Sequence, residues 1–121
     1  MSSETIPVGA QRDRRTIPGA LEFGVAVSAV EGGTVVQVRG DLDCYTAPQL
    51  RNVLLELADG PRRVIVDVGG SNFIDSTGLG VLVGGLKRLR QQGGDMVLRA
   101  PSPSTTRLFE VTGMTRLFEI A

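Results

Sequence analysis

No histidine occurs anywhere in the 121 residues, and this removes more chemistry than any other feature of the composition. A Ser-His-Asp or Cys-His arrangement cannot be built, and the side chain most often used as an acid or base near neutral pH is missing. The single cysteine, Cys44, excludes an internal disulfide. One cysteine without histidine also leaves no plausible ligand set for a structural zinc ion. The expectation is a protein of a reducing compartment with no metal and no cofactor, Cys44 acting as a small packing residue. Long apolar runs are absent too: none approaches the ~20 residues that span a bilayer, and no early stretch joins a basic start to a long apolar segment. A cytoplasmic protein without membrane insertion is expected. Lys plus Arg and Asp plus Glu are equal at 13 each, and the arginines are scattered rather than gathered into a run. The electrostatic footprint of direct nucleic-acid binding is therefore missing.

The motifs that suggest catalysis are incomplete. Ile74-Asp75-Ser76-Thr77-Gly78 has the serine and final glycine of a nucleophile elbow, but Ile74 replaces the leading glycine and no base is available. Gly78-Leu79-Gly80 starts like a dinucleotide-binding loop, yet Val83 stands where that loop requires glycine, and no Gly-Lys-Ser/Thr phosphate loop occurs. The chain is not expected to be an enzyme.

Residues 1–20 mix Ser, Thr, Arg, Pro and Gly around isolated apolar positions, which predicts a flexible N-terminal tail ahead of one domain over residues 21–121. Phe23, Val25 and Val27 alternate with smaller or polar residues. After the turn signal Glu31-Gly32-Gly33-Thr34 comes Val35-Val36-Gln37-Val38-Arg39, so the two segments predict an antiparallel hairpin. Thr46-Ala47-Pro48-Gln49 reads as a capping box, followed by Leu50, Val53, Leu54 and Leu57 on one helical face and by the stop Asp59-Gly60-Pro61. The nearly continuous apolar run Val64-Ile65-Val66-Asp67-Val68 predicts a central strand covered on both faces. From Ser76 a second helix carries Leu79, Leu82, Val83, Leu86 and Leu89 until Gln92-Gly93-Gly94, Asp95–Arg99 reads as a strand, and Ser102-Pro103 opens a helix bearing Leu108 and Val111 that closes at Gly113. This order predicts an α/β fold: a mixed sheet with an antiparallel edge strand, its parallel strands connected by helices.

Four groups of residues carry a resemblance. Gly40-Asp41-Leu42-Asp43, Phe73-Ile74-Asp75-Ser76-Thr77-Gly78-Leu79-Gly80, Gly93-Gly94 before a strand, and Leu108-Phe109-Glu110-Val111-Thr112-Gly113 resemble the STAS domain family, and within it the bacterial anti-sigma-factor antagonists. The resemblance implies a STAS-like domain that captures an anti-sigma factor of the histidine-kinase-like serine kinase type, releasing a sigma factor for transcription. It further implies phosphorylation of Ser76 by that kinase and its reversal by a metal-dependent serine phosphatase. An alternative within the same family is a non-phosphorylated scaffold or accessory subunit of a stress-signalling or lipid-transport complex.

Elementary electrostatics fits such a switch. A helix N-terminus presents unpaired N–H groups and partial positive charge, so a phosphate of roughly −1.5 to −2 can be held there without unfolding the domain. Ser76 is read both as the N-cap of its helix and as the phosphorylation site, with Thr77 as the competing acceptor. Asp75 and Thr77 on either side of it, and Asp43, which the resemblance places in a loop near the same helix start, are candidates for partner or kinase recognition. Gly78, Gly80 and Gly84 join them, because glycine inside a helix costs up to about 1 kcal/mol and needs a compensating reason. For Gly80 and Gly84 that reason is either close internal packing or close approach of a partner.

Overall fold

The computed structural model describes residues 6–8, 22–60 and 63–121. Among these residues one sheet holds six strands in the order β1-β2-β3-β4-β5-β6, namely Ile6–Val8, Gly24–Val30, Gly33–Arg39, Arg63–Gly70, Asp95–Arg99 and Glu119–Ile120. Three helices connect them: α1 (Ala47–Leu57), α2 (Ser76–Gln91) and α3 (Pro103–Thr112), with a 3₁₀ turn at Met114–Arg116. β2 pairs antiparallel with β3 through a two-residue turn at Glu31-Gly32, while β3, β4, β5 and β6 run parallel. The expected mixed sheet is present. β1 pairs antiparallel with β2 in the register Ile6↔Val27, so a short strand lies inside the segment read as a flexible tail. The remainder of residues 1–20 lies outside the described residues.

The core follows from strand alternation. Val25, Val36, Val38, Val64, Val66, Val68, Met96 and Leu98 share one face of the sheet, and the buried apolar residues of all three helices pack onto it in one cluster. β4 sits between β3 and β5, where a central strand was expected, but it is not covered on both faces. Its buried positions alternate, with Ile65 and Asp67 only half-buried. Asp67 is accounted for on that second face: its Oδ2 accepts from Arg99 Nε at 3.1 Å and Nη2 at 2.9 Å, and its Oδ1 accepts from Gly69 N at 2.8 Å.

Two helix readings need correction. The face of α3 is set by Thr105 and Phe109, one turn apart and fully buried, whereas Val111 is 75% exposed. At about 100° per residue, Val111 lies on the far side of the helix from Phe109. The Phe109 ring instead meets Phe118, with centroids 5.3 Å apart, so the C-terminal segment closes this end of the core. At α1 the capping box does not form. Thr46 has helical φ −99° and ψ −21° rather than the extended backbone of a cap. Its hydroxyl donates to Asp41 O at 2.7 Å and accepts from Asp43 N at 2.9 Å, while its own N–H is taken by Asp43 Oδ1 at 3.1 Å. The loop ahead of the helix, not the helix, uses these groups.

Candidate functional site

Parallel strands deliver their C-terminal ends to one edge of the sheet, and ligand and partner sites of open α/β sheets gather at that edge. Here the loops leaving β3 and β4 are fastened to each other. Leu42 and Ile74 form a parallel bridge, Leu42 N donates to Phe73 O at 2.8 Å, and Asp75 N donates to Leu42 O at 3.1 Å. Residues distant in sequence are thereby brought side by side: the Asp41–Thr46 loop and the start of α2.

The cap of α2 is Asp75, not Ser76. Asp75 has an extended backbone, and its Oδ1 accepts from Gly78 N at 2.9 Å, satisfying one of the orphan N–H groups of the first turn. Ser76 is the first helical residue and is exposed, as is Thr77. This shift of one residue matters for chemistry. The carboxylate carries the structural task, so the neighbouring hydroxyl can be modified without removing the cap.

Asp43 belongs to the fastened loop, but its Oδ1 serves that loop, accepting from Tyr45 N at 2.9 Å as well as from Thr46 N. Cys44, expected to pack, is exposed in the same turn. Tyr45, 85% exposed, and Phe73, 49% exposed, add apolar surface to the two loops. Phe73 opens one of the four resemblance motifs but was assigned no role, and the only signal of Tyr45 was an aromatic ring in a polar loop.

The three candidate glycines divide sharply. A Cβ on Gly78 would stand 2.7 Å from Leu42 Cγ and 2.9 Å from Leu42 O, so this glycine lets the β3 loop lie against the helix. Its role in the site is structural. A Cβ on Gly80 or Gly84 meets nothing within 4 Å, which rules out internal packing as the reason for either. Both residues open onto a groove between α1 and α2 of about 300 Å³, which Thr77 also lines. Leu54 and Gly85 also line it, together with Arg51, Leu55, Val81 and Arg88, and sequence patterns had singled out none of the last four.

Among the described residues no cluster of His, Cys, Asp and Glu is arranged to hold a metal ion, and no helix is long and apolar enough to cross a membrane.

With this geometry in hand, the comparisons with known proteins are specific. The chain is 35% identical over 101 residues to the anti-sigma-B factor antagonist of Bacillus subtilis, covering 84% of this chain and 93% of the relative. A crystal structure of an anti-sigma factor antagonist from Mycobacterium paratuberculosis superposes with a TM-score of 0.73 at 28% identity, covering 87% of this chain and 88% of the other. The Bacillus cell fate determinant SpoIIAA in its phosphorylated form shares the fold, with a TM-score of 0.64 at 23% identity and coverage of 82% and 90%. The STAS domain model matches residues 25–121, and on that match, which takes in the fastened loops, the capped helix and its exposed serine, the chain belongs to the STAS domain family.

Proposed function

We propose that this protein is an anti-sigma-factor antagonist switched by phosphorylation of Ser76. In its unmodified form it binds an anti-sigma factor of the histidine-kinase-like serine kinase type, and that kinase inactivates it by transferring phosphate to the Ser76 hydroxyl. A metal-dependent serine phosphatase restores it. The observation that carries this reading is the division of labour at the start of α2: Asp75 caps the helix through Gly78 N, and Ser76 stands exposed beside it. The 35% identity to a protein named as an anti-sigma-B factor antagonist supports the same role.

The physical basis of the switch is charge. Asp75 is already negative, and Asp41 and Asp43 lie on the loop fastened next to it. A phosphate of roughly −1.5 to −2 concentrates negative charge at a place where the helix dipole still tolerates it. The domain keeps its fold while the surface changes. A partner face matched to a small neutral hydroxyl then meets bulk and charge, and a penalty of about 3 kcal/mol lowers affinity more than a hundredfold.

Capture experiments with the native chain, Ser76→Ala and Ser76→Glu test the proposal. The native and alanine forms are expected to retain an anti-sigma factor with serine kinase activity, and the glutamate form to lose it. Phosphopeptide mapping after incubation with that kinase should place the phosphate on Ser76 rather than Thr77. Retention of the same kinase by all three forms, or phosphate only on Thr77, would overturn the assignment.

A further inference from the structure

Gly80 and Gly84 lie one turn apart on the same face of α2, and neither is needed by the fold. A Cβ on either meets nothing within 4 Å, whereas one on Gly85 would stand 2.8 Å from Leu54 Cδ1 and 3.1 Å from Met96 Cε. Each open glycine weakens its helix relative to alanine. What the two missing side chains produce is a trough on the outside of α2, of about 300 Å³. α1 supplies the opposite wall. Leu55 stands outside the buried Leu50, Val53 and Leu54 stripe of that helix and is 37% exposed. Helix backbones approach to about 8 Å only where the side chains between them are small. The trough therefore has the shape that an incoming helix requires, with apolar side chains at i, i+3 and i+4 seated between α1 and α2.

Charge identifies the visitor. Arg51 on α1 and Arg88 on α2 both line the groove, and no acidic residue does. Thr77 lines it as well, so it reaches the residue next to Ser76. We propose that the α1–α2 groove seats an acidic amphipathic helix of the anti-sigma factor, with Gly80 and Gly84 receiving its apolar face and Arg51 and Arg88 pairing its carboxylates. This rests on the antagonist function proposed above and adds where and how the partner docks. It also gives the switch a direction. Phosphate on Ser76 places negative charge at one end of a groove occupied by a negatively charged helix, so modification repels the element that the two arginines attract.

The probe is the anti-sigma factor captured by the native chain, and the measurements are its dissociation constant and the thermal unfolding midpoint of each variant. Gly84→Leu fills the trough, and the double variant Arg51→Glu/Arg88→Glu reverses its charge. Each is expected to weaken binding at least ~10-fold, with the unfolding midpoint unchanged or raised in Gly84→Leu and only slightly lowered in the double variant, since Arg88 lies in the last turn of α2, where a basic side chain suits the helix dipole. The native complex should lose affinity between about 50 and 500 mM salt, and the charge-reversed variant should lose much less of its remaining affinity. Native affinity in both variants, with binding still lost in Ser76→Glu, overturns the groove and leaves the switch standing. Loss in Gly84→Leu and in the double variant, with full binding by Ser76→Glu, upholds the groove and overturns the switch. If Gly84→Leu lowers the unfolding midpoint, the charge-reversed pair decides, because neither of its side chains belongs to the core.

Discussion

Leu42 and Ile74 lie side by side in a parallel bridge, closed by the bonds of Leu42 to Phe73 and Asp75, although one precedes α1 and the other precedes α2. That bridge holds an acidic loop against the capped start of a helix, and Gly78 lets it do so: any side chain there would strike Leu42. The candidate site is thus an extension of the sheet, built by two loops that continue strand-like pairing past the ends of β3 and β4.

Gly78→Ala and Gly84→Ala should move stability in opposite directions. At Gly78 the added methyl meets a backbone oxygen and a buried leucine, so overpacking outweighs the gain in helix propensity and costs about 1–3 kcal/mol. At Gly84 the methyl enters open space, and the helix gains about 0.5–1 kcal/mol. Urea unfolding of the two variants checks both signs. Equal effects would mean that the loop does not lie against the helix at Gly78.

Removing the cap should weaken the domain, and removing only its charge should not. Asp75→Ala loses the bond to Gly78 N and is expected to cost about 0.5–2 kcal/mol, while Asp75→Asn keeps a capping oxygen and stays close to the native value. Partner binding by the asparagine variant then reports on the carboxylate charge alone. A stable Asp75→Asn that binds the anti-sigma factor normally would remove Asp75 from recognition.

Ser76 should be thermodynamically quiet. It is exposed at the first helical position and does not cap the helix, so Ser76→Ala and Ser76→Glu are expected to shift unfolding free energy by no more than about 0.5 kcal/mol. The glutamate change leans toward stabilisation through the helix dipole. Chemical denaturation measures this directly. A large loss in either variant would contradict a switch that acts on binding and spares the fold.

On the open face of the sheet, the Asp67–Arg99 pair joins β4 to β5. The Arg99 side chain is 41% exposed and that of Asp67 18%, so solvent screens the pair. Its coupling energy from a double-mutant cycle should be about 0.5–1 kcal/mol, falling with added salt. Asp67→Ala should cost more than Arg99→Ala, because it also strips Gly69 N of its acceptor. Equal costs would show that the turn at Gly69 holds without the carboxylate.

Periodicity and punctuation made most of the elements readable in advance. The leucines of α2 repeat every three or four residues because one face must be dry, Ser102 and Pro103 start α3, and Gly113 ends it with φ 77°. These signals are local, so they survive in the linear order of residues. What could not be read there depends on atoms from remote segments. Thr46 has the right spacing for a capping box, but Asp41 and Asp43 claim its groups first. β4 has the apolar run of a doubly covered strand, yet all three helices pack on one face of the sheet.

The glycines of α2 make the distinction sharpest. In the chain Gly78, Gly80, Gly84 and Gly85 are equivalent interruptions of one helical pattern. In space a side chain on Gly78 or Gly85 would strike Leu42, Leu54 or Met96, and one on Gly80 or Gly84 would enter open space. The family was legible through the resemblance of four short motifs, and Ser76 was a candidate through the same resemblance, because such motifs are runs of adjacent residues. Which glycine packs and which stays open follows from where other segments come to rest, and a contact of that kind is made by folding.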